Sequence, residues 1–153
     1  MASNLDIRAL RDTYSLEPCG NSINTDYYAL DEGLLIAIPH DGSKDTGDTA
    51  LSNREEQAKY FRERGQRGGI VIFFDRMTSQ DKDARRVYER MDDVLTATAL
   101  VGGTMLTRAM VSFFLGLAKT RVPIKLFADI GPALVWLRER NATSDRALGY
   151  PDQ

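Results

Sequence analysis

The chain is poor in the residues that build metal centres, disulfide frameworks and histidine-based active sites. Its one cysteine, Cys19, has no partner for an intramolecular disulfide and supports no cysteine-rich metal site. Its one histidine, His40, lies too far along the chain from Cys19 to give a ligand spacing. No serine or cysteine stands next to His40 in an elbow pattern, which excludes a hydrolytic triad and leaves His40 as a solvated loop residue. Asp41, Asp45 and Asp48 lack the glycine-and-glutamate register of an EF-hand and read as a mobile acidic loop. No cofactor is implied. Long apolar runs are absent too: Leu34–Pro39 and Ala109–Leu117 fall far short of the ~20 residues of a bilayer span, so an integral membrane protein is not expected. Nor is there a block of one charge. The 20 basic and 22 acidic residues are interspersed, and the nearest basic cluster, Arg138, Arg140 and Arg146, is interrupted by Glu139 and Asp145. Nucleic acid is therefore not an expected partner. With no charged-then-apolar leader, the chain reads as cytoplasmic.

What is present fits one α/β domain. The 153 residues, 42% of them hydrophobic, suffice for a single core. Residues 1–25 have weak periodicity and read as an N-terminal extension that either packs on the domain or stays loose. The domain spans 26–140, and the polar stretch 141–153, with Gly149 and Pro151, reads as a flexible tail. Tyr27–Leu30 and Leu34–Pro39 flank the turn Asp31-Glu32-Gly33 as a β-hairpin. His40–Thr49 reads as a loop, followed by a capping box at Ser52-Asn53-Arg54-Glu55 and a surface helix to about Arg64, stopped by Gly65. Ile70–Phe74 reads as a strand buried on both faces. Thr78 or Ser79 caps the next helix, whose stripe is Ala84, Val87, Tyr88 and Met91. Then come a strand at Leu95–Val101, a helix at Met105–Ala118 capped by Thr104, a strand at Pro123–Ala128, and a helix capped by Asp129. The predicted order is ββαβαβαβα: an antiparallel N-terminal hairpin, then parallel strands covered by helices in one mixed sheet.

This order ends in LVGGTMLTRAMVSFFLGLAKTRVPIKLFADIGPALVWL, and with it the chain resembles the bacterial STAS-like (anti-anti-sigma-factor-like, or SpoIIAA-like) domains, distantly comparable to CRAL-TRIO lipid-exchange domains. The resemblance is most specific between Ala97 and Leu137. It implies a small regulatory or ligand-binding domain, not an enzyme. The phosphorylatable serine of STAS switches is missing: the matching segment runs from Asp75 to Arg85 without Ser-Ser-Gly, and with Asp83 aligned to the motif's aspartate, Ala84 takes the serine's place.

Open α/β sheets place ligands at the carboxyl ends of their strands. Asp75, Thr104 and Asp129 fall there and, with parallel strands, converge with Arg108 on one edge as the candidate ligand or partner surface, although Asp129 also reads as a cap and Arg108 as a solvated side chain. Gly102-Gly103-Thr104 opens a helix after a strand but lacks the lysine of a phosphate loop. On the helix 105–118, Val111, Ser112 and Leu115 lie opposite the core stripe. They suggest an association face, a homodimer or another protein partner, or else packing under a neighbouring element. The expected function is a non-catalytic cytosolic regulatory domain working through protein contact or a small ligand. The alternative is a carrier or sensor of a small apolar or lipid-like ligand held between the helix 105–118 and the sheet. A small enzyme using Asp75 and His40 is the third reading.

Overall fold

Three short segments of the chain are apolar almost throughout, and they form the centre of a sheet. The computed structural model describes residues 5–31, 33–103 and 121–149. Its strands are β1 (Glu17–Asn21), β2 (Thr25–Leu30), β3 (Leu34–Pro39), β4 (Ser43–Asp45), β5 (Gly68–Phe73), β6 (Met77–Gln80), β7 (Leu95–Val101) and β8 (Ile124–Phe127). The main sheet has the order β1-β2-β3-β5-β7-β8, and β4 pairs with β6 in a separate two-stranded sheet. Strand β2 runs antiparallel to both β1 and β3, whereas β3, β5, β7 and β8 are mutually parallel. Every residue of β3 and of β7 is buried, as interior strands covered on both sides must be. The β2–β3 turn forms where the sequence places it, with Asp31 at φ 50° and Gly33 at φ 86°.

Alternation along the strands sorts the core into two faces. Ile36, Val71 and Ala99 stand in register across β3, β5 and β7 and point to the first face. There they meet Ala133, Leu134 and Leu137 of the C-terminal helix α4 (Ile130–Thr143). Leu10, from α1 (Ile7–Tyr14), joins the same cluster. The second face carries Tyr27, Leu35 and Ile70 against Tyr60 and Phe61 of α2 (Gly47–Arg64), with α3 (Lys82–Tyr88) beside α2. The described residues show the order predicted for 26–140 apart from one helix, with the short strands β4 and β6 added to it. The predicted helix 105–118, between β7 and β8, lies outside the described residues.

Several boundaries differ from the sequence reading. Residues 5–25 join the fold. Asp6 caps α1 by accepting from the Ala9 amide (3.0 Å), and β1 adds an edge strand to β2. The expected loop His40–Thr49 contains β4 and the start of α2. The capping box of α2 is Thr46 with Thr49: each hydroxyl accepts from the other residue's amide, at 3.4 and 2.8 Å. The predicted box at Ser52 is displaced because Ser52 serves another purpose, accepting from the Ile23 amide at 3.1 Å. Gly65 ends α2 in the left-handed region, as expected (φ 73°). Thr78 and Ser79 do not cap α3, since pairing with β4 draws them into β6. Asp81 caps it, accepting from the Ala84 amide at 2.8 Å.

Nor do residues 145–149 fray. The Arg67 amide donates to the Arg146 carbonyl and the Arg146 Nε donates back to the Arg67 carbonyl, both at 2.8 Å. The Gly149 amide donates to the Asp93 carbonyl (2.9 Å), and the buried Asp93 carboxylate pairs with Arg62 (3.0 Å) and Arg54 (3.5 Å). Leu148 packs on the second cluster.

Close approach at the foot of β5 requires glycine. A Cβ on Gly68 would collide with the Gly33 carbonyl and sit 2.6 Å from Cε1 of the fully buried Phe61. Gly68→Ala is expected to destabilise the fold by about 1–3 kcal/mol in urea melts. Gly131→Ala, where an added Cβ meets nothing within 4 Å, should cost nothing.

Candidate functional site

The carboxyl edge of the sheet receives two of the predicted site residues. Asp75 sits in a single 3-10 turn, Phe74–Arg76, after β5 and accepts from the Gly103 amide at 2.7 Å. It fastens the turn after β7, so an amide that an anion would use is already engaged. Asp129 follows β8 and has N-cap backbone angles (φ −132°, ψ 155°), but its side chain accepts no capping hydrogen bond, contrary to expectation. Thr104, Arg108, Val111, Ser112 and Leu115 lie outside the described residues. His40 is engaged by Asp26 at 3.2 Å, both side chains about half exposed. The pair Asp75 and His40 is thus divided between two other partners.

A different place is hollow. On the second face, a cavity of about 120 Å³ lies between the sheet and the layer formed by α2, α3 and the β4–β6 pair. Its floor is made by alternate residues of successive strands: Tyr27 of β2, Ala37 of β3, Ile72 of β5, Thr98 and Leu100 of β7, and Ile124 of β8. Side chains two apart on a strand share a face, which brings Thr98 and Leu100 up together. Ala37, in the middle of the floor, leaves the space that a larger residue would fill. The roof is polar: Asn53 and Gln57 from α2, Tyr88 and Arg85 from α3, Asp45 at the end of β4 and Gln80 at the end of β6.

The polar roof is held by one connected set of hydrogen bonds, whose direction is dictated by Asp45. This carboxylate is 2% exposed. Its Oδ1 accepts from the Thr49 hydroxyl (2.5 Å) and the Tyr88 hydroxyl (3.2 Å), and its Oδ2 accepts from Gln80 Nε2 (3.1 Å). A carboxylate only accepts, so Tyr88 must donate to it and can only receive from Asn53 Nδ2, at 3.0 Å. The Asn53 amide is thereby oriented. Its Nδ2 also donates to Asn24 Oδ1 (3.0 Å), while its Oδ1 accepts from Tyr27 (2.8 Å) and Ser22 (2.6 Å). Tyr27, having donated, accepts from Gln57 Nε2 at 3.1 Å. Donors therefore point one way along the chain, from Gln57 through Tyr27, Asn53 and Tyr88 to Asp45. Burial pushes both phenols above the ordinary tyrosine range, and the Asp45 charge pushes both further, so both stay protonated and able to donate.

Among the described residues, no three His, Cys, Asp or Glu side chains are grouped to hold a metal ion, and no helix is long and apolar enough to cross a membrane. By sequence, Asp45 belongs to an acidic loop and Asn53 to a capping pattern, and Gln57 carries no motif. The one signal for them was spacing: Asn53 and Gln57 fall on the buried stripe of α2 with Ala50, Tyr60 and Phe61.

Residues 28–141 match the family model described as a domain of unknown function, DUF7793. The match covers well over half of the chain, which therefore belongs to that family. It includes Asp45, Asn53, Gln57, Tyr88 and Thr98, while Ser22, Asn24 and Tyr27 precede it. No curated protein matches the chain.

Tyr88→Phe leaves Asp45 Oδ1 short of one donor and Asn53 Nδ2 short of an acceptor, and is expected to cost about 1–3 kcal/mol of stability. The pH dependence has a definite sign. The folded phenols keep their protons to higher pH than unfolded ones, whose value is 10.0. Their stabilisation is complete below that value and is lost as pH rises above it, at up to about 1.4 kcal/mol per pH unit for each tyrosine. Urea melts between pH 8 and pH 11 should show the decline, and Tyr88→Phe should make it shallower.

Proposed function

We propose that this chain is a non-catalytic regulatory domain that senses a compact small molecule held in the cavity between the sheet and α2–α3. The observation that carries this reading is the cavity itself: about 120 Å³, with an apolar floor and a connected polar roof. Engineered apolar cavities of ~150 Å³ accept benzene, whereas drug-sized ligands need roughly 300 Å³ or more. The volume favours a ligand of about one ring over an acyl chain, so a compact molecule is a better occupant than the lipid-like one. The lining favours binding over chemistry. Its phenols are held protonated, the amino groups of its amides donate to neighbouring side chains, and the chain's single histidine is paired with Asp26. The resemblance to STAS-like regulators agrees with a signalling role, and the roof offers a route for it. Through Asn53, the same hydrogen bonds tie the cavity to Ser22 and Asn24 at the β1–β2 turn.

A screen of compact aromatic and alicyclic compounds by protein-observed NMR tests the reading. Binders should perturb the methyl signals of Ile72, Leu100 and Ile124. Ala37→Leu, which fills the floor, should stay folded and weaken those binders by at least about tenfold. Binders that perturb other surfaces, or that bind Ala37→Leu equally well, would refute it.

A further inference from the structure

The one-way hydrogen-bond chain defines what the polar end of the cavity lacks, and so what a ligand must bring. Tyr27 can only accept from Gln57, so the Gln57 Nε2 faces Tyr27 and the Gln57 Oε1 is turned away from it. Asp45 likewise fixes Gln80 with its Nε2 inward, leaving that side chain's Oε1 over. Both glutamines line the cavity, and Gln57 is only 3% exposed. Neither leftover carbonyl oxygen has a hydrogen-bond partner among the described residues. Across from them on the floor, Thr98 is 7% exposed, and its hydroxyl also has no partner among the described residues. These oxygens are open to the cavity and not sealed off from it, so each offers an acceptor that a ligand atom can reach. Asp45 and Arg85 line the same cavity with opposite charges, which favours a neutral occupant over an anion or a cation.

Resting on the sensor reading above, we infer that the ligand is a neutral hydrogen-bond donor, an N–H or O–H group on a compact apolar ring or branched body, with its donor directed at Gln57 Oε1. The apolar body lies on Ile72, Leu100 and Ile124. A hydroxyl such as that of Thr98 serves either as acceptor or as donor, so it accommodates the ligand without altering this polarity.

Matched pairs that differ only in the donor test this directly: indole against benzofuran, and phenol against toluene. Each is titrated into the full chain and followed by the methyl shifts of Ile72, Leu100 and Ile124. The donor-bearing member should bind at least about tenfold more tightly, because the other leaves a buried acceptor unpaired. Gln57→Met should reduce that preference to near unity while keeping the affinity for benzofuran and toluene. Should Gln57→Met not fold, the Gln57 side-chain amide signals of the unmodified chain give the readout: indole and phenol should shift them more than benzofuran and toluene do, and equal shifts within each pair overturn the assignment. Equal binding within each pair, or a preference that survives the folded variant, overturns the donor assignment while leaving the cavity a binding site. Failure of all four compounds to move the cavity methyls overturns the sensor reading, and the donor assignment with it.

Discussion

The buried carboxylate of Asp45 sets the arrangement of the whole second face. Removing such a group from water costs several kcal/mol unless donors replace its hydration. Here the donors come from three separate pieces of chain: Thr49 at the start of α2, Gln80 at the end of β6 and Tyr88 at the end of α3. Meeting that need fixes these elements relative to β4 and to one another. It also fixes proton direction. Because Asp45 cannot donate, every amide and hydroxyl upstream of it has a single orientation, out to Ser22 on one branch and Gln57 on the other. The N-terminal end of α2 adds its dipole next to the charge, in the favourable sense.

Asp93 shows the contrasting way to bury a carboxylate. It is 6% exposed and is compensated by cations, Arg62 and Arg54, with the backbone of Gly149 drawn in beside it. Both cations meet its Oδ2, and the cluster ties the C-terminal segment to the start of β7, which is a structural task. Asp45 has neutral donors for all the partners found among the described residues, and these donors belong to side chains with a second polar end. Each amide in the relay passes on an acceptor or a donor to something else. A cation cluster terminates, whereas a relay of amides and phenols must end somewhere, and this one ends at the cavity. The difference explains why one buried acid makes a strap and the other makes the polar lining of a cavity.

How far the sequence reveals these features depends on what kind of signal each leaves. The central strands are legible because burial on both faces leaves an unbroken apolar run, and the β2–β3 turn because Asp31 and Gly33 adopt the positive φ values a tight hairpin needs. The start of α2 is not legible. Thr46–Thr49 and Ser52–Glu55 both satisfy the capping chemistry, and only the tertiary use of Ser52 against Ile23 decides between them. Thr78 and Ser79 mislead similarly, since a β4–β6 pair too short to show periodicity claims them. The roof is hidden for a deeper reason. Helical stripes are found by counting apolar residues, and the inward stripe of α2 contains Asn53 and Gln57, which that count assigns to solvent. A reading by spacing, indifferent to polarity, would have placed both residues inward.

The same reasoning explains why, among the described residues, the hollow lies under α2 and α3 and not at the carboxyl edge where parallel sheets usually hold ligands. At that edge, Asp75 closes on the Gly103 amide, so a polar group that might receive a ligand is spent holding the β7 turn. On the first face, Ala97 and Ala99 of β7 let Leu134 and Leu137 of α4 pack closely, and the small residues there are covered by large ones. On the second face, the small residue Ala37 and the polar Thr98 stand beneath Asn53 and Gln57. Those amides are held back by their own hydrogen bonds and cannot collapse onto the floor as leucines would. A void between a rigid polar roof and an apolar floor costs dispersion energy that closer packing would recover. Local departures from optimal packing of this kind are where function is to be sought. The two faces of one sheet thus divide the work: the face under α4 supplies stability through dense packing, and the face under α2 gives some of it up to keep a small, chemically polarised space open.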